Sequence, residues 1–217
     1  MVFDLKNILR ILLLIPFLFS YGQKIGEIAP EKPLTIFPSN SWGVDLIFSD
    51  GGFGLGTFFR KNYSTKIDGF IDLSIAESKN EREFEYFDYF GRSIVVGKEN
   101  RVFLLPINIG IHYRLFEKEL SDNLRPHLIL GIGPTVIIST PYKEEFFSSF
   151  KYAKSFVAAG GYIGFGADFG TSKDNLVGLS MRYYYMKFLS GEVEHLRGRF
   201  KNEIGAFYIT LTIGMMY

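Results

Sequence analysis

The 217-residue sequence has no cysteine, and its charges nearly cancel, with a formal net charge of +1. The absence of cysteine excludes disulfides, thiolate metal sites, cysteine catalysis and a lipoprotein anchor. The balanced charge gives no electrostatic reason to expect a nucleic-acid partner or an acidic substrate. The fold therefore has to close through hydrogen bonding and packing rather than through covalent links.

Long apolar runs are also missing beyond the amino terminus, where residues 11–19 form an apolar stretch. This stretch is shorter than the ~20 residues that a spanning helix needs. It follows two basic residues and precedes the small residues Ser20 and Gly22, so we expect a secretory signal peptide over 1–22 rather than a membrane-anchoring helix. An exported chain without a spanning helix can enter a membrane only as a closed barrel.

Glycine and aromatic residues are abundant, with 23 Gly, 23 Phe and 13 Tyr in the 217 residues. Ordinary proteins contain about 7% Gly, so the glycine content alone is above average. A membrane barrel with small residues inside and aromatic residues outside would use both excesses.

Alternation is clear in the last stretch, 205–217. From Phe207 to Tyr217 every odd-numbered residue is apolar, whereas the even-numbered residues are mostly small or polar. Side chains alternate faces along a strand, so this pattern predicts a strand with one apolar face. Such a strand fits a transmembrane β-barrel better than a soluble sheet. Its final aromatic residue also resembles the end of bacterial outer-membrane barrels, where a terminal aromatic residue is the usual assembly signal.

Eight segments show this alternation, which predicts an eight-stranded antiparallel transmembrane β-barrel over 41–217, after an extended periplasmic lead-in over 23–40. The predicted strands lie near 41–49, 53–62, 67–77, 103–114, 126–139, 156–170, 176–188 and 205–217. Pro106 lacks a backbone donor and therefore predicts a bulge or local break in the fourth strand.

The connections between the predicted strands differ in length. We place 62–66, 116–125 and 170–175 on the periplasmic side and 78–100, 140–155 and 189–202 outside the cell. Outer-membrane barrels have short periplasmic turns and longer outer loops, which predicts localisation in the cell outer membrane. A soluble lipocalin-like or streptavidin-like barrel also alternates, but it would have its charges outside. Here the charged residues share a strand face with the glycines, which favours the membrane barrel.

Seven charged residues are predicted to face the interior: Asp45, Arg60, Asp68, Asp72, Arg114, Asp168 and Arg182. Eight strands leave an interior just wide enough for side chains, so we expect no diffusion pore. Buried charges need partners, which favours a structural salt-bridge network over a proton or ligand path. Within this network, Asp68 is expected between Arg60 and Arg114 near the periplasmic mouth.

Two predicted outer loops mix aromatic residues with charges, and their aromatic residues are Phe84, Tyr86, Phe87, Tyr89, Phe90, Phe146 and Phe147. Aromatic anchors beside charges are typical of recognition surfaces. The alternative is that the strands extend beyond the membrane, pair, and stack these rings on one another. A protein partner would bind through these loops, whereas outer-membrane lipid and lipopolysaccharide would contact the barrel itself.

The eight alternating strands, the predicted signal peptide and the terminal Tyr217 together resemble the small porin-like outer-membrane barrels, the class that contains outer-membrane proteins A and X. Gln23 directly after Gly22 resembles the signal-peptide junctions of Bacteroidota-type envelope proteins. The resemblance implies a structural or binding component of the cell envelope. A lipid A-modifying enzyme and an accessory subunit of a secretion or assembly complex are the alternatives.

The histidines bear on the enzymatic alternative, and they are His112, His127 and His195. Their spacing resembles no metal motif. Small outer-membrane barrels that deacylate or palmitoylate lipid A use His with Ser, but no His-x-Ser pairing falls on an outward face here. We therefore expect neither catalysis nor a metal or cofactor.

Overall fold

A computed structural model describes residues 38–217 apart from 50–51, 80–82, 84, 88, 90–92, 118–119, 121–123 and 170–173. The predicted signal peptide and most of the predicted lead-in lie outside the described residues. The strands are β1 Asn40–Ser49, β2 Gly52–Asn62, β3 Ile67–Ser78, β4 Glu85–Phe87, β5 Ser93–Val95, β6 Asn100–Arg114, β7 Leu124–Pro141, β8 Lys154–Phe169, β9 Asn175–Phe188, β10 Val193–Leu196, β11 Arg199–Lys201 and β12 Glu203–Met216. One short helix, α1 Phe146–Ser149, runs into a 3₁₀ helix, Phe150–Tyr152.

The described helices are all short. None of them is long and apolar enough to cross a membrane.

Eight of the strands close into one antiparallel barrel in the order β1, β12, β9, β8, β7, β6, β3, β2. The predicted eight-stranded barrel is therefore confirmed. The seam is the pairing of β1 with β12, which runs from Ser41 opposite Met216 to Ser49 opposite Tyr208. The four short strands form two separate two-stranded sheets, β4 with β5 and β10 with β11.

The outer face of the barrel is apolar and the inner face carries the charges. Large apolar side chains such as Trp42, Ile109 and Ile163 are exposed on the outside, whereas Asp45 and Arg182 are buried. This inside-out distribution is that of a barrel that spans the outer membrane, because only lipid can cover such an exterior favourably. A soluble barrel would bury the apolar face instead, so the soluble alternative is wrong.

Both ends of the closed sheet meet at one end of the barrel, where Tyr217 N donates to Asn40 O at 2.9 Å. We call this the terminal end. Its connections are shorter than the three long loops at the opposite end, which carry the two small sheets and α1. The short first hairpin, between Ser49 and Gly52, also lies at that opposite end. Short turns mark the periplasmic side, so the terminal end faces the periplasm.

Pro106 does not bulge the fourth barrel strand, β6. The register between β6 and β7 is the same on both sides of it, with Pro106 opposite Thr135. The register between β6 and β3 is also unchanged, although the paired residues skip Ser74 and Ile75 opposite this point. Of the predicted bulge or local break, the structure shows the local break, because the missing donor of proline interrupts the ladder without shifting its register.

The interior is divided by depth. Towards the outer end it is filled by an apolar cluster that includes Val102, Leu104, Ile137, Met186 and Ile204, all buried. The charged and hydrogen-bonding side chains occupy the middle and the terminal end. These two levels contain the candidate site.

Candidate functional site

The middle of the barrel is crossed by a hydrogen-bonded chain of four buried side chains. Asp72 on β3 accepts from the Tyr162 hydroxyl at 2.5 Å through Oδ2, and from Asn108 Nδ2 at 2.7 Å through Oδ1. Asn108 Nδ2 also donates to the Tyr184 hydroxyl. Four strands, β3, β6, β8 and β9, contribute one residue each, so the chain ties opposite walls together and occupies the space between them.

A buried ion pair lies beside this chain. Arg182 Nη2 on β9 is 3.1 Å from Asp45 Oδ2 on β1, and the guanidinium lies 5.3 Å from the centre of the Tyr162 ring. Asp45 Oδ1 accepts from Thr212 Oγ1 at 2.6 Å, and Arg182 Nε donates to Ser180 Oγ at 3.2 Å. The additional hydrogen bonds matter because a buried ion pair compensates its desolvation only when its remaining polar groups are satisfied.

A second buried ion pair lies at the terminal mouth. Arg60 Nη1 is 3.0 Å from Asp168 Oδ2, and the Arg60 guanidinium also covers the Phe58 ring at 4.5 Å. His127 Nδ1 lies 3.8 Å from the same carboxylate oxygen, and its ring stacks on His112 with centroids 4.6 Å apart. The two histidines and the Arg60–Asp168 pair line a cavity of about 70 Å³.

The sequence predicts that Asp68 lies between Arg60 and Arg114 and pairs with them, and the pairing with Arg60 is wrong. All three residues line the terminal cavity. However, Arg60 forms its ion pair with Asp168, which is 108 residues distant in sequence, and Arg114 Nη2 donates to the Leu120 carbonyl oxygen at 3.1 Å. Partners across a narrow interior compete with neighbours on adjacent strands, and here the residue across the barrel forms the pair.

Several interior residues of the site were missed by the predicted network. Three of them, Tyr162, Tyr184 and Asn108, carry no charge, and the predicted network contained only charged residues. Arg125 was assigned to a connection, but β7 begins at Leu124, and Arg125 is buried with its Nη1 3.4 Å from Met216 Sδ. The period-two pattern of β7, extended by two residues, would have placed Arg125 inside.

The predicted aromatic loop surface is divided between two elements. Phe84 and Phe90 lie outside the described residues. Tyr86 and Phe87 belong to β4, and Tyr89 follows it with an exposed fraction of 98%. Phe146 and Phe147 lie in α1, where Phe146 packs edge-on against Phe103 of the barrel wall at 6.1 Å, while Phe147 is 78% exposed. The first group belongs to a separate small sheet, so it is not a simple extension of the barrel strands.

The outer loops are held together by a buried charge cluster. Lys98 Nζ lies 3.0 Å from Glu83 Oε2 and 3.4 Å from Glu77 Oε1, with only 4% of the lysine side chain exposed. Backbone bonds join the same region to β10, including Glu99 N to His195 O at 3.0 Å. His195 itself is buried, and burial lowers its pKa to about 4, with the positive charge of Lys201 acting in the same direction.

The buried His195 predicts that the outer loops around β10 and β11 become less stable in acid. The folded pKa of His195 is below that of an exposed imidazole, about 6.5, so the unfolded state binds more protons between about pH 4 and 6.5. Stability therefore rises with pH through this window and is lost as the pH falls. Hydrogen exchange of β10 and β11, expressed as protection factors that correct for the intrinsic pH dependence of amide exchange, should show less protection at pH 5 than at pH 7. His195→Phe should remove this difference, and an unchanged pH dependence in that variant would contradict the assignment.

The terminal cavity brings imidazole, carboxylate, guanidinium and hydroxyl groups together. Within the described ranges, no group of three or more His, Asp or Glu side chains is placed to hold a metal ion. The two stacked imidazoles lie beside the ion pair of Arg60 and Asp168, and Ser39 and Ser41 line the same cavity.

No family model matches the sequence, and a search of curated proteins finds no match. Among solved structures, the chain is similar to Neisserial surface protein A, with a TM-score of 0.47 and 10% identity over 82% of this chain and 94% of that one. It is also similar to the N-terminal β-barrel domain of Pseudomonas aeruginosa OprF, with a TM-score of 0.45 and 10% identity over 84% and 100%. A third is Ail, the attachment invasion locus protein of Yersinia pestis, with a TM-score of 0.43 and 14% identity over 84% and 100%. The assignment of this chain to a membrane barrel rests on its own closed sheet and apolar exterior.

Proposed function

We propose that this chain is a non-conducting outer-membrane barrel whose role in the envelope is structural or binding, with the outer loops as the binding surface. The observation that carries the proposal is the filled interior. Three layers of side chains seal the barrel at successive depths. They are the ion pair of Arg60 and Asp168, the hydrogen-bonded side chains that include Asp72 and Tyr184, and the apolar cluster towards the outer end.

The two interior cavities lined by the buried ion pairs are each too small to pass a solute. The cavity at the terminal mouth measures about 70 Å³, and the one beside Asp45 and Arg182 about 20 Å³. A water molecule needs roughly 10 to 15 Å³ by the same measure, so these spaces hold a few waters and no solute of useful size.

The outer loops support the binding part of the proposal because they are folded onto one another. Lys98 bridges to Leu196 between the two small sheets, and Arg197 N donates to Gly97 O at 2.9 Å. Outer loops held in this way can present exposed rings such as Tyr89 and Phe147 to a protein partner at low entropic cost. Outer-membrane lipid and lipopolysaccharide are the proposed partners of the barrel wall below it.

Planar-bilayer recording tests the seal. The reconstituted protein should show no steady large single-channel conductance, because three layers of side chains block the axis. A variant with both Tyr162→Ala and Tyr184→Ala removes the two rings at mid-height and serves as the comparison. A stable large conductance from the wild-type barrel would overturn the proposal.

The absence of catalysis is part of the same proposal. It is supported by the small volume, about 70 Å³, of the cavity that His112 and His127 share with Ser39 and Ser41, and it is tested by mass spectrometry of lipid A with and without the protein. A change in acyl-chain number that required His112 or His127 would favour the enzymatic alternative. Co-purified partners would favour the accessory subunit. Membership of the class of outer-membrane proteins A and X, and a Bacteroidota-type origin, are proposed on the sequence features alone.

A further inference from the structure

An apolar groove of about 600 Å³ runs across the outside of the barrel wall formed by β2, β3, β6 and β7. Its lining includes Phe59, Gly69, Ile71, Ile109, Ile111 and Ile132. All of the aliphatic members are exposed on the lipid-facing side of the wall. The groove is thus a concave part of the membrane surface of the barrel, separate from the sealed interior.

The lower part of the groove is shaped by a glycine on the outward face, Gly69. Gly69 follows Ile67 and precedes Ile71 on the same face of β3, and it lies opposite Ile111 of β6. With no side chain there, the ring of Tyr63 folds over the glycine, and an added Cβ would be 2.6 Å from Tyr63 Cε2. The Tyr63 ring thus covers the position of the missing side chain and forms part of the lining, and the groove runs past this ring between the larger apolar neighbours.

The position of the groove matches one leaflet of the membrane. Its lower end is at Lys61 and Tyr63, next to the periplasmic turn, and its upper end is at Ile132, near the middle of the 18-residue β7. The groove therefore covers the periplasmic half of the wall. Half of a hydrocarbon core of about 30 Å is the depth that one acyl chain occupies.

The lower end of the groove carries a positive charge. Lys61 points outward from β2, is exposed, and forms no ion pair with any of the residues that the structure describes. A lysine stem can lie along apolar surface while its ammonium reaches the headgroup level. Tyr63 beside it has the amphipathic ring that is favoured at this interface.

We propose that this groove binds one phospholipid of the periplasmic leaflet, with an acyl chain along the groove past the Tyr63 ring and an anionic phosphate or phosphoglycerol headgroup at Lys61. The inference rests on the membrane orientation in the proposed function. To that function the inference adds a lipid site on the barrel wall and the class of lipid that binds there. An apolar lining that ends in a single cation matches a lipid better than a protein segment, which would have to satisfy its own backbone in hydrocarbon.

Native mass spectrometry tests the proposal with the full barrel released from mild detergent in the presence of phosphatidylglycerol or phosphatidylcholine of identical chains. The wild type should retain one lipid per barrel and prefer phosphatidylglycerol about fivefold, the effect typical of one lysine near an anionic headgroup. Lys61→Gln should abolish the headgroup preference while lipid is still retained. Gly69→Leu should reduce retention of both lipids, because its side chain displaces the Tyr63 ring from its place in the groove lining.

Matched controls separate the groove from the lipid that surrounds any barrel. Ala167→Leu also introduces a leucine side chain on the outward face of β8 in the same leaflet, with one carbon less added than in Gly69→Leu. Lys187→Gln removes an outward charge near the opposite end of β9. Both should behave as wild type. Ile109→Trp fills the groove from β6 and replaces Gly69→Leu if that variant does not fold.

An unchanged headgroup preference in Lys61→Gln, or wild-type retention of lipid in Ile109→Trp, would overturn the proposal, as would retention of a protein instead of a lipid. The outcome is independent of the conductance experiment. A barrel that fails to bind lipid can still be sealed, and an open barrel can still carry the groove.

Discussion

Replacing Arg182 with methionine should lower the free energy of unfolding of the barrel by about 3 to 5 kcal/mol, the usual cost of leaving one partner of a buried ion pair alone. The substitution removes the cation 3.1 Å from Asp45 and leaves that carboxylate with Thr212 as its hydrogen-bond donor. Asp72 is close by in the same closed interior, so a second acidic group loses its nearest compensating charge. Methionine keeps most of the volume, which limits the packing contribution.

Urea unfolding in detergent measures this effect, with fluorescence of Trp42, the only tryptophan, as the probe. The double variant with Arg182→Met and Asp45→Asn should recover part of the loss, because coupled neighbours are not additive. Arg197→Ala is the control, since it breaks an ion pair at 2.8 Å whose arginine is 75% exposed and should cost less than about 1 kcal/mol. A wild-type urea midpoint for Arg182→Met would show that the buried pair does not hold the walls together.

Replacing Gly43 with valine should prevent proper closure of the barrel seam. Gly43 of β1 lies opposite Gly214 of β12, and an added Cβ would press on the Ile213 carbonyl oxygen and lie 2.5 Å from the Gly214 Cα. Both contacts are with backbone, so the strands themselves would have to separate. Overpacking in a core typically costs about 1 to 3 kcal/mol, and we expect at least the upper value where backbone has to move.

The matched control for the seam is Gly56→Ala on β2, where the added Cβ would meet the Ser74 Cβ at 3.0 Å and the Leu73 oxygen at 3.3 Å, a milder approach. Resistance to added protease and the urea midpoint should both fall for Gly43→Val and change little for Gly56→Ala. An open seam exposes two unpaired strand edges, so the first variant should also aggregate. Equal stability of the two variants would mean that the seam tolerates a side chain.

The faces of the strands could be predicted from the sequence because side chains alternate with a period of two. Asp45, Arg60, Asp72, Asp168 and Arg182 were assigned to the interior in this way, and all are buried. The number of strands followed from the same pattern, since each crossing of the membrane needs its own alternating segment. Both features are local, so no knowledge of the closed barrel was required.

The partners inside the barrel depended on its closure. Arg60 and Asp168 are 108 residues apart in sequence, and Arg182 and Asp45 are 137 apart. Alternation assigns a face but neither the stagger between strands nor the residue that lies across the interior. The expected pairing of Asp68 with Arg60 was wrong for this reason. Hairpin neighbours on adjacent strands can be inferred from the sequence, whereas Asp168, the partner of Arg60, lies on the opposite wall.

The loop sheets and the groove also required the three-dimensional structure. β10 and β11 have four and three residues, too short for a period-two pattern to be recognised, and long-range contacts such as Lys98 with Leu196 support them. The lower part of the groove depends on the outward Gly69 lying beside Ile111 of β6, which is 42 positions further along the chain and paired with it only in the folded sheet. Local alternation determined which face each residue occupies, whereas the register of the closed sheet determined which residues share a site.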